Sequence, residues 1–259
     1  MLSNDFQLSD STAAMKTVII VQARMTSTRL PGKVLLPVLG KPLLEYQIER
    51  LQRVTLADKV IIATTVNPTD QPIVDLCDRL GVAVYRGDEA DVLSRYYEAA
   101  RTYGADVIVR VTSDCPLIDP QIIDTVIQHY FDQQPAADYA ANTLRRSLPR
   151  GMDTEVFSMS ALTAAHQEAT AQPDREHVTP FIHQQPERFA MTTVSYDDDQ
   201  SQHRWTVDTP EDFALIQKIL VALYPHCPKF TLADCLNLLE QNPEWRLINA
   251  HVEQKKYGE

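Results

Sequence analysis

T-V-I-I-V-Q-A-R-M-T-S-T-R-L-P-G-K, residues Thr17 to Lys33, sets the architecture of this chain. Its first six residues, Thr17–Gln22, form a run without alternation, β-branched from Thr17 to Val21 and closed by Gln22. A strand with one wet face alternates, whereas a strand covered on both faces reads as a continuous apolar run. The run therefore predicts a parallel strand sandwiched between helices. A polar loop bearing three cations follows, and then a helix over Pro42–Val54 with Leu44, Ile48 and Leu51 on one face. Strand, loop, helix is the repeating unit of an open α/β sheet, in which ligands sit beyond the carboxyl ends of the strands.

The same unit recurs along the chain. Lys59–Thr64 is a second strand, and Asp70 stands where it can cap a helix carrying Ile73, Leu76, Cys77 and Leu80 inward. Val82–Tyr85 is a third strand, Asp88–Tyr103 a helix, Asp106–Val111 a fourth buried strand and Gln121–Phe131 another helix, with Asp119-Pro120 opening it. These elements predict an α/β fold with a doubly wound, mostly parallel sheet. Beyond Gln134 the periodicity weakens. Short strands are expected at Asp138–Asn142, Thr154–Phe157 and Phe189–Ser195, and helices at Ser160–Ala169, Thr209–Tyr224 and Leu232–Glu240. We divide the chain into a polar, disordered tail (1–14), a nucleotide-binding α/β half (15–135), a small inserted sugar-binding, lid or dimerisation subdomain (136–202) and a return to the main domain with C-terminal helices (203–259).

Composition narrows the function. The 259 residues carry a net charge of −11, so no overall basic field draws in nucleic acid. No apolar run approaches the roughly 20 residues that span a bilayer, and the opening stretch lacks the basic start and apolar middle of a signal peptide. A cytoplasmic protein without membrane or nucleic-acid partners is expected. Cys77, Cys115, Cys227 and Cys235 form no C-x-x-C pair and match no common zinc spacing.

Two constellations carry chemistry. Arg24, Arg29 and Lys33 lie in one loop with no acid among them. Arginine offers a planar fork to phosphate oxygens and lysine a compact charge, a set suited to a triphosphate. Pro31-Gly32 stiffens the loop. The Walker pattern fails here because positions 27 and 34 are Ser and Val, and no G-x-G-x-x-G is present. The second constellation is a pair of distant aspartates. T-S-D-C-P-L-I-D-P places Asp114 at the carboxyl end of a central strand, and R-W-T-V-D-T-P-E-D-F places Asp208 at the end of another short strand before a helix. Magnesium accepts one or two carboxylates beside water and phosphate oxygens. Each aspartate also has a plain structural reading: Asp114 as an Asx turn before Cys-Pro, and Asp208 as the residue preceding a Thr-Pro helix start.

Together, Q-A-R-M-T-S-T-R-L-P-G-K, S-D-C-P-L-I-D-P and R-W-T-V-D-T-P-E-D-F resemble the cytidylyltransferase family, which contains the CMP-Kdo and CMP-acylneuraminate synthetases. D-V-L-S-R-Y-Y-E-A-A, G-M-D-T-E-V-F and R-E-H-V-T-P-F-I point within it to the spore coat polysaccharide biosynthesis protein F-like branch. The resemblance implies a nucleotide-diphospho-sugar-transferase (GT-A-like, Rossmann-type) fold. It also implies a nucleotidyltransferase that couples a nucleoside triphosphate, CTP by expectation, to an acidic sugar or sugar phosphate and releases pyrophosphate. It assigns Arg24, Arg29 and Lys33 to the triphosphate, and Asp114 and Asp208 to Mg2+. Gln22, Ala23, Arg110 and Ser113 fall to the nucleotide pocket, and Asn142, Asp153, Glu155, His177 and Arg204 to the sugar side. A homodimer is the family expectation. The chain departs from the better-known synthetases in reading Val-Gln-Ala-Arg for Ile-Pro-Ala-Arg, and Ser113 where near relatives carry Gly.

Two other readings stay open on the residues alone. One is a glycosyltransferase that uses a nucleotide-sugar donor. Its D-x-D metal motif would fall on Asp114-Cys115-Pro116, which lacks the second acid, or on the acidic loop Asp197-Asp198-Asp199. The other is a non-catalytic nucleotide-binding module. Pyrophosphate release separates the first from a nucleotidyltransferase, and binding without turnover would mark the second.

Overall fold

The computed structural model describes residues 15–254; the tail expected over 1–14 and the last five residues lie outside the described residues. The elements, in order, are β1 (Thr17–Gln22), β2 (Pro37–Val38), β3 (Lys41–Pro42), α1 (Leu43–Leu51), β4 (Lys59–Thr65), α2 (Gln71–Leu80), β5 (Ala83–Gly87), α3 (Val92–Thr102), β6 (Val107–Thr112) and α4 (Pro120–Phe131). They continue as β7 (Tyr139–Ala141), β8 (Glu155–Ser158), α5 (Met159–Glu168), α6 (Gln172–His177), α7 (Pro180–His183), β9 (Met191–Thr193), α8 (Pro210–Leu223) and α9 (Leu232–Gln241).

Seven strands form one sheet in the order β5-β4-β1-β6-β8-β7-β9, and β2 and β3 pair as a separate small hairpin. β5, β4, β1 and β6 are mutually parallel; β8 runs antiparallel to both β6 and β7, and β9 returns parallel to β7. The alternation that β1 hides in sequence appears in its packing. Ile19 and Val21 join the core under α1, α2 and α4, while Val18 and Ile20 face the opposite core under α3 and α5. Each of these side chains is fully buried, which contributes about 1.5–3 kcal/mol apiece. A third core, built on Trp205, Val207 and the inner faces of α8 and α9, packs against Leu43 and Tyr46 of α1.

Three expectations need correcting. Residues 136–202 do not stand apart as a subdomain. β7, β8 and β9 extend the main sheet, because the free edge of β6 finds its backbone partners in β8. These strands are three or four residues long, too short for periodicity to declare them part of a sheet. The strand expected before Asp208 is also absent. Arg204 makes a lone bridge with Arg150, and the chain is otherwise held by Trp205 N–H donating to the Arg150 carbonyl at 2.7 Å. Asp70, third, makes no side-chain cap for α2 and has a different task, described below. Among the described residues no helix is long and apolar enough to cross a membrane.

Candidate functional site

The sheet order places β1 beside both β4 and β6, so connections leave β1 in opposite directions and a crevice opens beyond its carboxyl end. That crevice is a cleft of about 370 Å³, lined by the loop after β1, the ends of β5 and β6, and residues from α6. Of the residues assigned from sequence, Gln22, Ala23, Arg24, Arg29, Lys33, Ser113, Asp114, His177 and Asp208 all line it.

The cationic loop is held from below. Ala23 N–H still donates to Ala63 at 3.1 Å, extending the strand pairing, and Gly32 N–H closes the loop onto the Met25 carbonyl at 2.9 Å. Gly32 has φ +69°, and an added Cβ would meet the Met25 methyl at 3.3 Å, so glycine suits the turn into the following 3-10 helix. The buried Asp70 carboxylate accepts from Met25 N–H at 2.7 Å and from the Thr65 hydroxyl at 2.5 Å. Its work is to anchor this loop to the end of β4.

Lys33 is the hub. Its ammonium donates to Asp208 at 2.7 Å and to Asp114 at 3.4 Å, and Arg29 reaches Asp208 at 3.0 Å. Burial by itself would lower the Lys33 pKa, but the two carboxylates outweigh it and hold it above its ordinary value. Burial likewise pushes Asp114 up, yet the Lys33 charge and hydrogen bonds from Thr112, Cys115 and Thr206 pull it down to about 2. Asp114 is therefore an anion throughout the working pH range.

The two aspartates are positioned by different means. Asp114 takes the Thr112 hydroxyl at 2.6 Å, and its carbonyl accepts Val207 N–H at 2.8 Å, so the second motif is stitched directly to the third. Asp208 sits one residue before the Thr209 cap of α8. The reciprocal capping box there uses Asp212, which also accepts Asp208 N–H at 3.0 Å. Arg204 clamps the pair, donating to Asp208 at 2.7 Å and to Asp212 at 2.9 Å.

The opposite lip holds residues that sequence reading missed. Glu89 accepts from Arg24 at 3.2 Å and from Asn67 at 2.5 Å, and is also bonded to the Thr26 hydroxyl. Arg95, on α3, lines the cleft with its guanidinium almost fully buried. Among the described residues it reaches only the Asp88 carbonyl, at 3.2 Å, and its Nε has no hydrogen-bond partner. The usable signal was that both follow the carboxyl end of a parallel strand, where the same crevice rule applies.

A second cavity of about 340 Å³ adjoins the first and shares Thr112 and His177 with it. Arg110, Asp153 and Glu155 line it. Arg110 pairs with Glu155 and donates to the Gln22 side chain at 3.3 Å, linking the two spaces. Glu155 also accepts the Tyr139 hydroxyl at 2.5 Å and the Thr179 hydroxyl at 2.7 Å. Burial opposes ionisation of Glu155, but Arg110 and these hydroxyls hold its pKa below the ordinary value. Asp153 is held by both terminal nitrogens of Arg146 at 2.6 and 2.7 Å. Two residues assigned to the sugar side lie elsewhere. Asn142 is buried, donating to the Met152 carbonyl at 2.7 Å and accepting Thr154 N–H at 2.9 Å. Arg204 stands behind Asp208. The acidic loop Asp197-Asp198-Asp199 is exposed and lines neither cavity.

Among the described residues no group of three or more His, Cys, Asp or Glu gathers around one point. Two carboxylates sharing one ammonium are nonetheless a hard-oxygen donor pair of the kind magnesium takes when phosphate oxygens complete its shell.

The cytidylyltransferase family model matches residues 18–250. The spore coat polysaccharide biosynthesis protein SpsF of Bacillus subtilis is 32% identical over 237 residues, covering 88% of this chain and 95% of that protein. An uncharacterised protein of Methanocaldococcus jannaschii is 36% identical over 249 residues, covering 95% and 99%. The solved structure of a cytidylyltransferase from Leptospira borgpetersenii superposes with a TM-score of 0.86 at 33% identity, covering 94% of this chain and 99% of that one.

Proposed function

This chain belongs to the cytidylyltransferase family, and on that premise we propose that it transfers a cytidylyl group from CTP to an acidic sugar or sugar phosphate and releases pyrophosphate. The observation that carries the reading is the convergence of Lys33 on both Asp114 and Asp208, at the carboxyl ends of the strands where such a sheet binds its ligand.

The residues divide the work. Arg24, Arg29 and Lys33 take the triphosphate oxygens, exchanging their present carboxylate partners for phosphate. Gln22, Ala23 and Ser113 form the floor beside the nucleoside, and Arg95 supplies a further buried cation. Asp114 and Asp208 would hold a divalent cation, magnesium by their donor chemistry, which when bound neutralises phosphate charge and makes the phosphorus more electrophilic. The adjoining cavity, with Arg110, Asp153 and Glu155, receives the acceptor. An acceptor oxygen then attacks the α-phosphorus while the bond to pyrophosphate breaks. Burial lowers the His177 pKa, so its neutral ring, on the wall shared by both cavities, stands in place to take a hydroxyl proton. Positioning and charge stabilisation supply most of the rate.

The test is a pyrophosphate-release screen crossing the four nucleoside triphosphates with acidic sugars and sugar phosphates in the presence of magnesium. Release with CTP and one acceptor class is expected. Consumption of a nucleotide-sugar donor without pyrophosphate would replace the reading with glycosyl transfer, and tight CTP binding with no product from any acceptor would replace it with a binding module.

A further inference from the structure

A third cavity, of about 350 Å³, is lined by Arg150, His203, Arg204, Trp205 and Arg246 together with apolar and neutral polar side chains and, among the described residues, by no Asp or Glu. In a chain of net charge −11, a lining whose charged members are all arginines is a local reversal of sign. The charge of Arg204 is occupied by Asp208 and Asp212. The other two guanidinium groups are not: among the described residues no hydrogen bond or ion pair engages the side chain of Arg150 or Arg246. Arg150 is half-buried, with Arg146 and Arg204 as like-charged neighbours and the Asp153 carboxylate, which does not line this cavity, offsetting them in part.

Among the described residues, two buried polar atoms of lining residues lack hydrogen-bond partners, Trp205 Nε1 and His203 Nε2. Trp205 is fully buried and His203 is 6% exposed. The indole nitrogen can only donate, and a buried donor left unmade is costly. Uncommitted guanidinium forks and an unmet N–H donor together ask for an oxyanion, and the planar fork matches phosphate in particular. We propose that this cavity is a binding site for a phosphate-class anion, separate from the nucleotide cleft. Arg204 joins the two, since it lines the cavity and donates to Asp208 at 2.7 Å. An anion that draws on Arg204 loosens its hold on Asp208, so occupancy is communicated to the cleft.

Inorganic phosphate, pyrophosphate and a phosphorylated sugar share the required chemistry, and binding can be read without turnover. The chain has two tryptophans, Trp205 and Trp245, so Trp245→Phe leaves Trp205 as the reporter in the full-length protein. Adding Lys33→Ala weakens phosphate capture in the nucleotide cleft. In that background we expect a saturable change in Trp205 emission with inorganic phosphate, pyrophosphate or glucose 1-phosphate. Matched chloride should produce none, and the anion that binds most tightly identifies the natural source. Arg246→Gln and Arg150→Gln should each weaken binding about tenfold or more, the loss of one charge-assisted contact. Arg246 is exposed and unbonded, so its replacement leaves the fold intact, which circular dichroism verifies. No saturable change with any of the three anions would overturn the proposal. So would a change that survives both arginine substitutions undiminished, or one that chloride reproduces.

Discussion

Asp114→Asn replaces one carboxylate oxygen by an amide nitrogen at almost unchanged volume, and the structure separates what this does to stability from what it does to turnover. Asp114 falls from an ordinary pKa of 3.8 to about 2 on folding. At 1.36 kcal/mol per unit that difference stabilises the folded chain by about 2 kcal/mol near neutral pH. Because the folded pKa is depressed, the contribution is present above about pH 4 and is lost as pH falls through about 2. The amide forfeits it, but Lys33 keeps Asp208 at 2.7 Å, so no ammonium is stranded and the loss stays near that 2 kcal/mol. The transition state fares worse, because one preorganised charge is removed where charge develops. That costs about a hundredfold to a thousandfold in turnover, or roughly 3–4 kcal/mol. Pyrophosphate release with magnesium supplied measures the second quantity, and urea unfolding near pH 7 and pH 3 measures the first. The variant should unfold with a flatter acid limb than the wild type. Wild-type turnover in Asp114→Asn would remove this carboxylate from the chemistry, and an unchanged acid limb would refute the Lys33 linkage.

Glu155→Ala should destabilise by about 3–5 kcal/mol, because it leaves the Arg110 guanidinium buried beside Tyr139 and Thr179 without its anion; a urea-unfolding loss under about 1 kcal/mol would contradict that. Gly151→Ala should cost about 2 kcal/mol or more, or prevent folding: its φ is +106° and a Cβ would sit 2.8 Å from the Trp205 backbone. A variant that melts like the parent would show that this crossing is looser than described. Chelation of divalent cations should abolish pyrophosphate release while moving the melting temperature by no more than about 2 °C, since Lys33 already bridges the two carboxylates without a metal. A large thermal shift on chelation would mean that a metal is part of the folded scaffold.

What was legible in the sequence was whatever is encoded locally. β1 lies at its expected bounds because five β-branched residues in a row, Thr17 to Val21, have no other comfortable environment. The capping of α4 by Asp119 follows from its neighbouring Pro, and the cationic loop followed from its position after β1. Residues whose work depends on distant partners were misread or missed. Asp70 looks like a cap because it precedes a helix, yet its partner Met25 is 45 residues away. Glu89 looks like surface charge until β5 brings it across from Arg24. Arg204 carries the same sequence signature as a substrate-binding arginine, but the capping box of α8 places Asp212 where it takes that charge instead.

The convergence of Asp114 and Asp208 shows why the two carboxylates could be singled out from sequence while their support could not. The two carboxylates are separated by nearly a hundred residues, and nothing in either motif names the other. Besides the Lys33 ammonium and the Thr206 hydrogen bond to Asp114, what joins them is the backbone hydrogen bond from Val207 N–H to the Asp114 carbonyl at 2.8 Å, backed by Val207 and Trp205 buried in the third core. That core is closed by α8 and α9, neither of which contributes a side chain to the cleft. The spacing of the two carboxylates is thus set by apolar packing behind them, and the shared Lys33 ammonium offsets their mutual repulsion before a ligand arrives. Disruption of the α8–α9 core should consequently degrade the cleft without touching any residue that lines it.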